Sequence, residues 1–343
     1  MYLISQDGVL STCIKQISGY KSINQSIHTF AYLLPDKSIV LKNMSSNLLL
    51  TKLIIPPIRP AWVKRPHLIR TLNAGLEHKL TLVSAPAGYG KSTLLSEWVH
   101  QVSLPAAWLS LESTDNTPSR FWSYFVSALQ TLPAMQKKFS SETLMDLEGA
   151  WPSSSPEEAL TGLVDEIARF SSPFIMILDD LQLITDPGIH SGLVFILEHL
   201  PAAADGMHLV VASRKDPPWP LARMRARAQT TELRTRDLRF TLDETTEFLN
   251  QTMGLRLSAG DVAQLDQRTE GWVAGLQLAA LSMQNREDIP AFLEGFSGSH
   301  RFILDYLIEE VLSQQPPRVM EFLLKTSILD KLTAPLCDAV TSE

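Results

Sequence analysis

"KLTLVSAPAGYGKSTLLSEWVHQ", residues 79–101, carries the strongest signal in the chain. Leu80, Leu82 and Val83 suit a short buried strand, and "STLLSEWVHQ" reads as a helix with Leu94, Leu95 and Trp98 on one face. Between them, "APAGYGKST" (85–93) spells a phosphate-binding loop, except that Ala85 stands where the strict pattern has its first glycine. Such a loop needs glycines so that successive N–H groups can turn inward towards phosphate oxygens. Gly88 and Gly90, with Tyr89 between them, supply that backbone, Lys91 the charge for the β/γ-phosphates and Ser92 the hydroxyl for Mg²⁺. Thr93 and the helix it helps to open direct free N–H groups at the α/β-phosphates. Ala85 adds only a methyl group, tolerable at negative φ, and Pro86 already restrains it to extended backbone.

Two further strands give the loop its partners. "PFIMILDD" (173–180) is an apolar strand ending in two aspartates. A carboxylate delivered to the phosphate end holds Mg²⁺ through water, which assigns Asp179, while Asp180 is placed to polarise an attacking water as general base. "MHLVVASRKDPP" (207–218) reads as an inserted strand lying between those two, with Ser213 or Arg214 at its tip to sense a γ-phosphate. The paired aspartates favour water as the phosphate acceptor. The alternative is a catalytic P-loop ATPase or kinase acting on a separate substrate, and a third reading is a remnant that no longer hydrolyses.

Apolar strands at 80–83, 105–112, 173–180 and 207–213 alternate with helical stretches, and "TTELRTRDLRF" adds one more strand. The alternation predicts βαβ units and a parallel sheet covered on both faces. Thr117 and Pro118 open a helix in which Phe121, Phe125 and Leu129 recur, and Pro156 opens another running to about Phe170. From the capping box "TLDE" (241–244) the pattern turns wholly helical. The expected divisions are a poorly defined extension (1–50), a P-loop domain (51–240), a helical lid (241–310) and a last segment (311–343). "EGWVAGLQLAALSM" predicts a core helix packing through Trp272, Leu276, Ala279 and Ala280, and Pro316–Pro317 split two amphipathic helices further on.

The 343 residues exceed the size at which single cores usually stop growing, and the net charge of −7 argues against a surface that is basic throughout. "RKDPPWPLARMRARAQTTELRTRDLR" (214–239) does hold eight basic against three acidic residues. Trp219 is its one aromatic side chain, so Arg223, Arg225 and Arg227 are expected on a helix face and Arg234 and Arg236 on an exposed strand face, rather than on DNA. Two cysteines, Cys13 and Cys337, offer neither a disulfide framework nor metal spacing. Asp7 and Lys15 interrupt any signal-peptide core, and no apolar run is long enough for a membrane span, so the cytoplasm is the expected location.

Several stretches, in order, resemble one family. They are "TKLIIPPIRPAWVKRPHLIRTL", "LTLVSAPAGYGKSTLLSEW", "AWLSLESTDNTPSRFWSYFVSAL", "IMILDDLQLITDPGIHSGLVFIL", "LVVASRKDPPWPLARMRARAQTTELRTRDLRFT" and "TEGWVAGLQLAALSM". The family is the MalT-type regulators, large bacterial LuxR-family transcription factors built on a STAND ATPase. "APAGYGK" is a usual spelling of its loop. The resemblance implies a switch that rests with ADP, self-associates when inducer and ATP are both bound, and is reset by hydrolysis at Asp180. It implies that Val63 and Arg65 lie near the adenine, that "EGWVAGLQLAALSM" belongs to the lid, and that a winged-helix-like domain begins near residue 311. The chain stops at "APLCDAVTSE", inside that domain, so the resemblance implies a fragment, a truncated product or an excised piece. Inducer recognition by helical repeats and DNA binding by a helix-turn-helix then belong to parts absent from this chain. Leu323, Leu324 and Ile328 are expected to be partly exposed, a liability for association.

Overall fold

The computed structural model describes residues 48–58, 62–133, 135, 156–170, 172–200, 206–284, 289, 292–293, 301–312, 315–329 and 331–341. The expected N-terminal extension and the loop around residue 153 lie largely outside them. Two compact units divide at Arg239 and Phe240.

The first unit is a five-stranded parallel sheet. In chain order it contains α1 (Pro66–Gly75), β1 (Leu80–Ser84), α2 (Lys91–Gln101), β2 (Ala106–Ser110), α3 (Pro118–Gln130), α4 (Pro156–Ala168), β3 (Phe174–Asp179), α5 (Pro187–His199), β4 (Met207–Ser213), α6 (Leu221–Ala226) and β5 (Thr230–Arg234). The order across the sheet is β2-β3-β4-β1-β5, so β4 is inserted between β1 and β3 as the sequence predicts.

Strand alternation sorts the core into two layers. Leu80, Leu82, Leu109, Phe174, Met176, Leu178, Leu209 and Val211 face one side, with residues of α3, α4 and α5. Val83, Trp108, Ile175, Ile177, Val210 and Ala212 face the other, with α1 and α2. Both faces are dry, which is why the strands read as continuous apolar runs rather than as alternation.

Some local expectations change. The run from Phe121 to Leu129 is buried throughout, not on one face only. Helix α5 approaches so closely that a Cβ at Gly192 would stand 2.5 Å from the Trp122 ring. Thr117 precedes Pro118 as expected, but its hydroxyl makes no capping bond. β5 ends at Arg234, and Arg236 falls in a short helix, α7 (Thr235–Leu238), so the two do not share a strand face. Arg227 lies just past the end of α6.

The second unit is helical among its described residues. α8 (Leu242–Thr246) opens with the Thr241–Glu244 capping box and runs into a π-helical turn (Glu247–Thr252). α9 (Ala259–Thr269) opens with a second box, Ser258–Asp261. α10 (Val273–Met283) buries Leu276, Ala279 and Ala280, while Trp272 stands just before it and meets Tyr306 edge-on. α11 (Arg301–Leu307) extends as another π turn, and α12 (Pro317–Thr326) and α13 (Ala334–Thr341) follow. Leu324 and Ile328 are exposed and Leu323 is half-buried. No helix among the described residues is long and apolar enough to cross a membrane.

Candidate nucleotide site

In a parallel sheet the functional crevice lies beyond the carboxyl ends of the strands. Here the tips of β1, β3 and β4 bring Lys91, Ser92, Asp179, Asp180 and Arg214 together.

The loop after β1 turns through Gly88 at φ 80° and Gly90 at φ 75°, a region that strains any residue with a Cβ. Ala85 stays out of that region; its methyl is buried, and its N–H donates to the Ser213 carbonyl across 3.1 Å. The loop therefore leaves the sheet still hydrogen-bonded to β4, and glycine is not required there. Tyr89 packs its ring on the cluster around Trp98. Gly90 caps α2 and accepts from Leu94, leaving the N–H groups of Lys91, Ser92 and Thr93 without intrahelical acceptors.

The Lys91 ammonium is buried inside the curl of the loop and donates to the carbonyls of Ala85 (2.8 Å) and Pro86 (3.0 Å). Burial draws its pKa below the ordinary lysine range; Asp180 and Asp179 oppose that shift, and the Arg214 guanidinium adds to it. Asp179 is buried, and desolvation, followed by the neighbouring Asp180 charge, pushes its pKa up to about 6. The Ser92 hydroxyl hydrogen-bonds to Asp179 and, with Lys91, pulls the other way. A hydroxyl and a carboxylate in contact are hard oxygen donors, which suits Mg²⁺. Among the described residues no cluster of three or more His, Cys, Asp or Glu side chains offers a different metal site.

Asp180 adopts the left-handed conformation at φ 61°, rare for a residue with a side chain. Its N–H donates to Asp179 Oδ1 (3.1 Å), and its carboxylate accepts from Gln182 Nε2 (2.8 Å). Of the two sensor candidates, Ser213 is fully buried with its hydroxyl donating to the Lys215 carbonyl (2.6 Å). Arg214 is the one whose charge reaches Lys91.

Val63 and Arg65 are both buried. The Arg65 guanidinium donates to the carbonyls of Leu238 (2.9 Å), Asp237 (3.3 Å) and Arg239 (2.7 Å), closing the end of α7. The side chain thus shapes the backbone where α7 ends.

Sequence reading missed the ties between strand tips. Asn116, after β2, accepts from the N–H groups of Thr185 (2.7 Å) and Asp186 (2.8 Å) in the loop after β3. Trp219, after β4, donates to His190 Nδ1 (3.1 Å), and His190 Nε2–H donates to the Ile184 carbonyl (2.9 Å). Asp216, after β4, accepts from Ser84 at the end of β1 (3.0 Å) and pairs with Arg234 at the end of β5. Part of the basic stretch is also paired: Arg223 with Glu198, and Arg225 and Arg234 with Glu232. These partners hold the carboxyls of Asp216 and Glu232 below their usual range despite partial burial.

The MalT winged helix domain model matches residues 308–343. The chain is 33% identical over 285 residues to the HTH-type transcriptional regulator MalT of Yersinia enterocolitica. It is equally similar to the one of Klebsiella pneumoniae, the match covering 82% of this chain and 30% of the relative in each case. The chain thus spans less than a third of the length of these curated relatives. Among solved structures, the Walker-type ATPase of Pyrococcus abyssi aligns with a TM-score of 0.49 at 16% identity, covering 84% of this chain and 92% of that one. Over the stretch it shares with those regulators, the chain is of MalT type.

Proposed function

We propose that the chain is the nucleotide-operated switch module of a transcriptional regulator, binding ATP or ADP with Mg²⁺ and hydrolysing ATP slowly. The observation that carries this reading is the convergence of Lys91, Ser92, Asp179, Asp180 and Arg214 at the tips of three adjacent strands. Lys91 would move from the loop carbonyls to the β/γ-phosphates, with the N–H groups of Lys91, Ser92 and Thr93 cradling the anion at the start of α2. Ser92 and Asp179 would hold Mg²⁺, which neutralises phosphate charge when bound. Asp180 would orient and deprotonate water, and Arg214 would register the γ-phosphate. Val63 and Arg65 are proposed to border the adenine. ATP-dependent self-association, and DNA contact through a helix-turn-helix outside this chain, complete the reading. The pairing of Arg223, Arg225 and Arg234 with carboxylates supports leaving DNA to such a part.

The test is isothermal titration with ATP and ADP. Wild type should bind with micromolar or tighter affinity, and Lys91→Ala should weaken ATP by at least about 100-fold, the loss of a charge-assisted contact in a desolvated site. Unchanged affinity in that variant would sink the proposal.

A further inference from the structure

The phosphate chemistry above requires no side chain at position 182, yet Gln182 joins two of its parts. Gln182 Nε2 donates to Asp180 Oδ1 (2.8 Å), and Gln182 Oε1 accepts from the Arg214 backbone N–H (2.9 Å). The amide cannot be flipped: a carboxylate can only accept at Nε2, and a backbone N–H can only donate to Oε1. We propose that Gln182 is a positioning residue that couples the Asp180 carboxylate to the sensor position at the tip of β4. The inference rests on the reading of Asp180 as the hydrolytic base.

Three features support the coupling. Asp180 sits at φ 61°, a rarely populated basin that persists only where surrounding contacts hold it. Gln182 is in the short 3₁₀ turn that follows, Leu181–Leu183, and this turn brings its amide back over the carboxylate. The loops after β3 and β4 are also joined by the Trp219–His190–Ile184 relay, which fixes their spacing and leaves Gln182 as a link at the chemical end. When Arg214 engages or releases a phosphate, its own N–H moves with the strand tip. Through Gln182 that movement turns the Asp180 carboxylate towards or away from the attacking water.

The experiment compares the full chain with Gln182→Leu, Gln182→Glu, Arg214→Ala and Gln182→Leu/Arg214→Ala, reading ATP affinity and single-turnover hydrolysis. Gln182→Glu is nearly isosteric and keeps the acceptor for Arg214, but it loses the donor to Asp180. Both position-182 variants should bind ATP within about threefold of wild type and hydrolyse it at least about tenfold more slowly, the size of effect expected from a misaligned base. The double variant should be no slower than the slower single variant, because Arg214→Ala removes the phosphate signal that the position-182 change can no longer relay. Wild-type turnover in Gln182→Glu, or losses that multiply in the double variant, would overturn the coupling. If wild type hydrolyses no faster than Lys91→Ala, the hydrolytic reading falls and takes this inference with it. Lys91-dependent turnover that ignores position 182 removes the inference alone.

Discussion

The two ends of the sheet are built from the same kinds of side chain and behave in opposite ways. At the amino end, polar groups close on one another. His208, buried within β4, donates from Nδ1 to the His78 carbonyl (2.7 Å) and accepts at Nε2 from the Thr81 hydroxyl (2.9 Å). His78 meets Thr231 (2.7 Å), and Lys79 caps the end of α5 through the carbonyls of Leu197 (3.1 Å) and Leu200 (2.7 Å). At the carboxyl end the bonds run between loops, and charges are left in proximity: two carboxylates, an ammonium and a guanidinium. One end spends its polar groups on stability, and the other holds like charges together where a ligand can rearrange them. Like charges held close in this way are a common feature of functional sites.

The contrast can be broken from either side. The largest effect is expected at the carboxyl end: Asp180→Asn should slow single-turnover ATP hydrolysis by about 100-fold or more, the scale of general-base catalysis, while ATP affinity is retained. A variant that hydrolyses at the wild-type rate would remove the base. At the amino end the effect should fall on stability alone. His208→Leu strands the Thr81 hydroxyl and the His78 carbonyl, which should cost about 2 kcal/mol at neutral pH with nucleotide affinity unchanged.

The same histidine sets a pH dependence. Desolvation lowers its pKa from 6.5 to about 4 in the fold, so it stays neutral there while the unfolded chain takes up a proton first. Wild type should therefore lose stability as pH falls from 6.5 towards 4, by on the order of 3 kcal/mol from this group. Calorimetric melting across that range should show a shallower slope in His208→Leu. The smallest effect belongs to Lys79→Met, which uncaps α5 and should cost about 1 kcal/mol without changing ATP affinity.

What could be read from the sequence follows how local each determinant is. β1, β3 and β4 announce themselves because strands buried on both faces are continuous apolar runs, and the glycine pair of the loop lies within three residues. The insertion of β4 between β1 and β3 was expected from P-loop folds with an inserted strand, not from the residues of β4 themselves. The ties were invisible because they have no period: Asn116 meets Thr185 and Asp186, Gln182 meets Arg214, and Glu198 meets Arg223, all far apart in sequence. The partners of the arginine-rich stretch were hidden for the same reason. Its charge excess is real in composition, and three of its arginines, Arg223, Arg225 and Arg234, are paired, one of them with a partner outside the window. Arg65 shows a further limit, since its position before α1 gives no hint that it closes α7, far away in sequence.

Asn116, Gln182 and Asp216 each serve two neighbouring loops at once, so adjoining strand tips are laced together across the sheet. Loop grafting between relatives meets that lacing directly. A donor loop inserted after β3 alone arrives without its acceptor on β2 or its donor on β4, and the graft takes only when its neighbours come with it. In this fold the unit of inheritance at the phosphate end is the laced set, not the single loop.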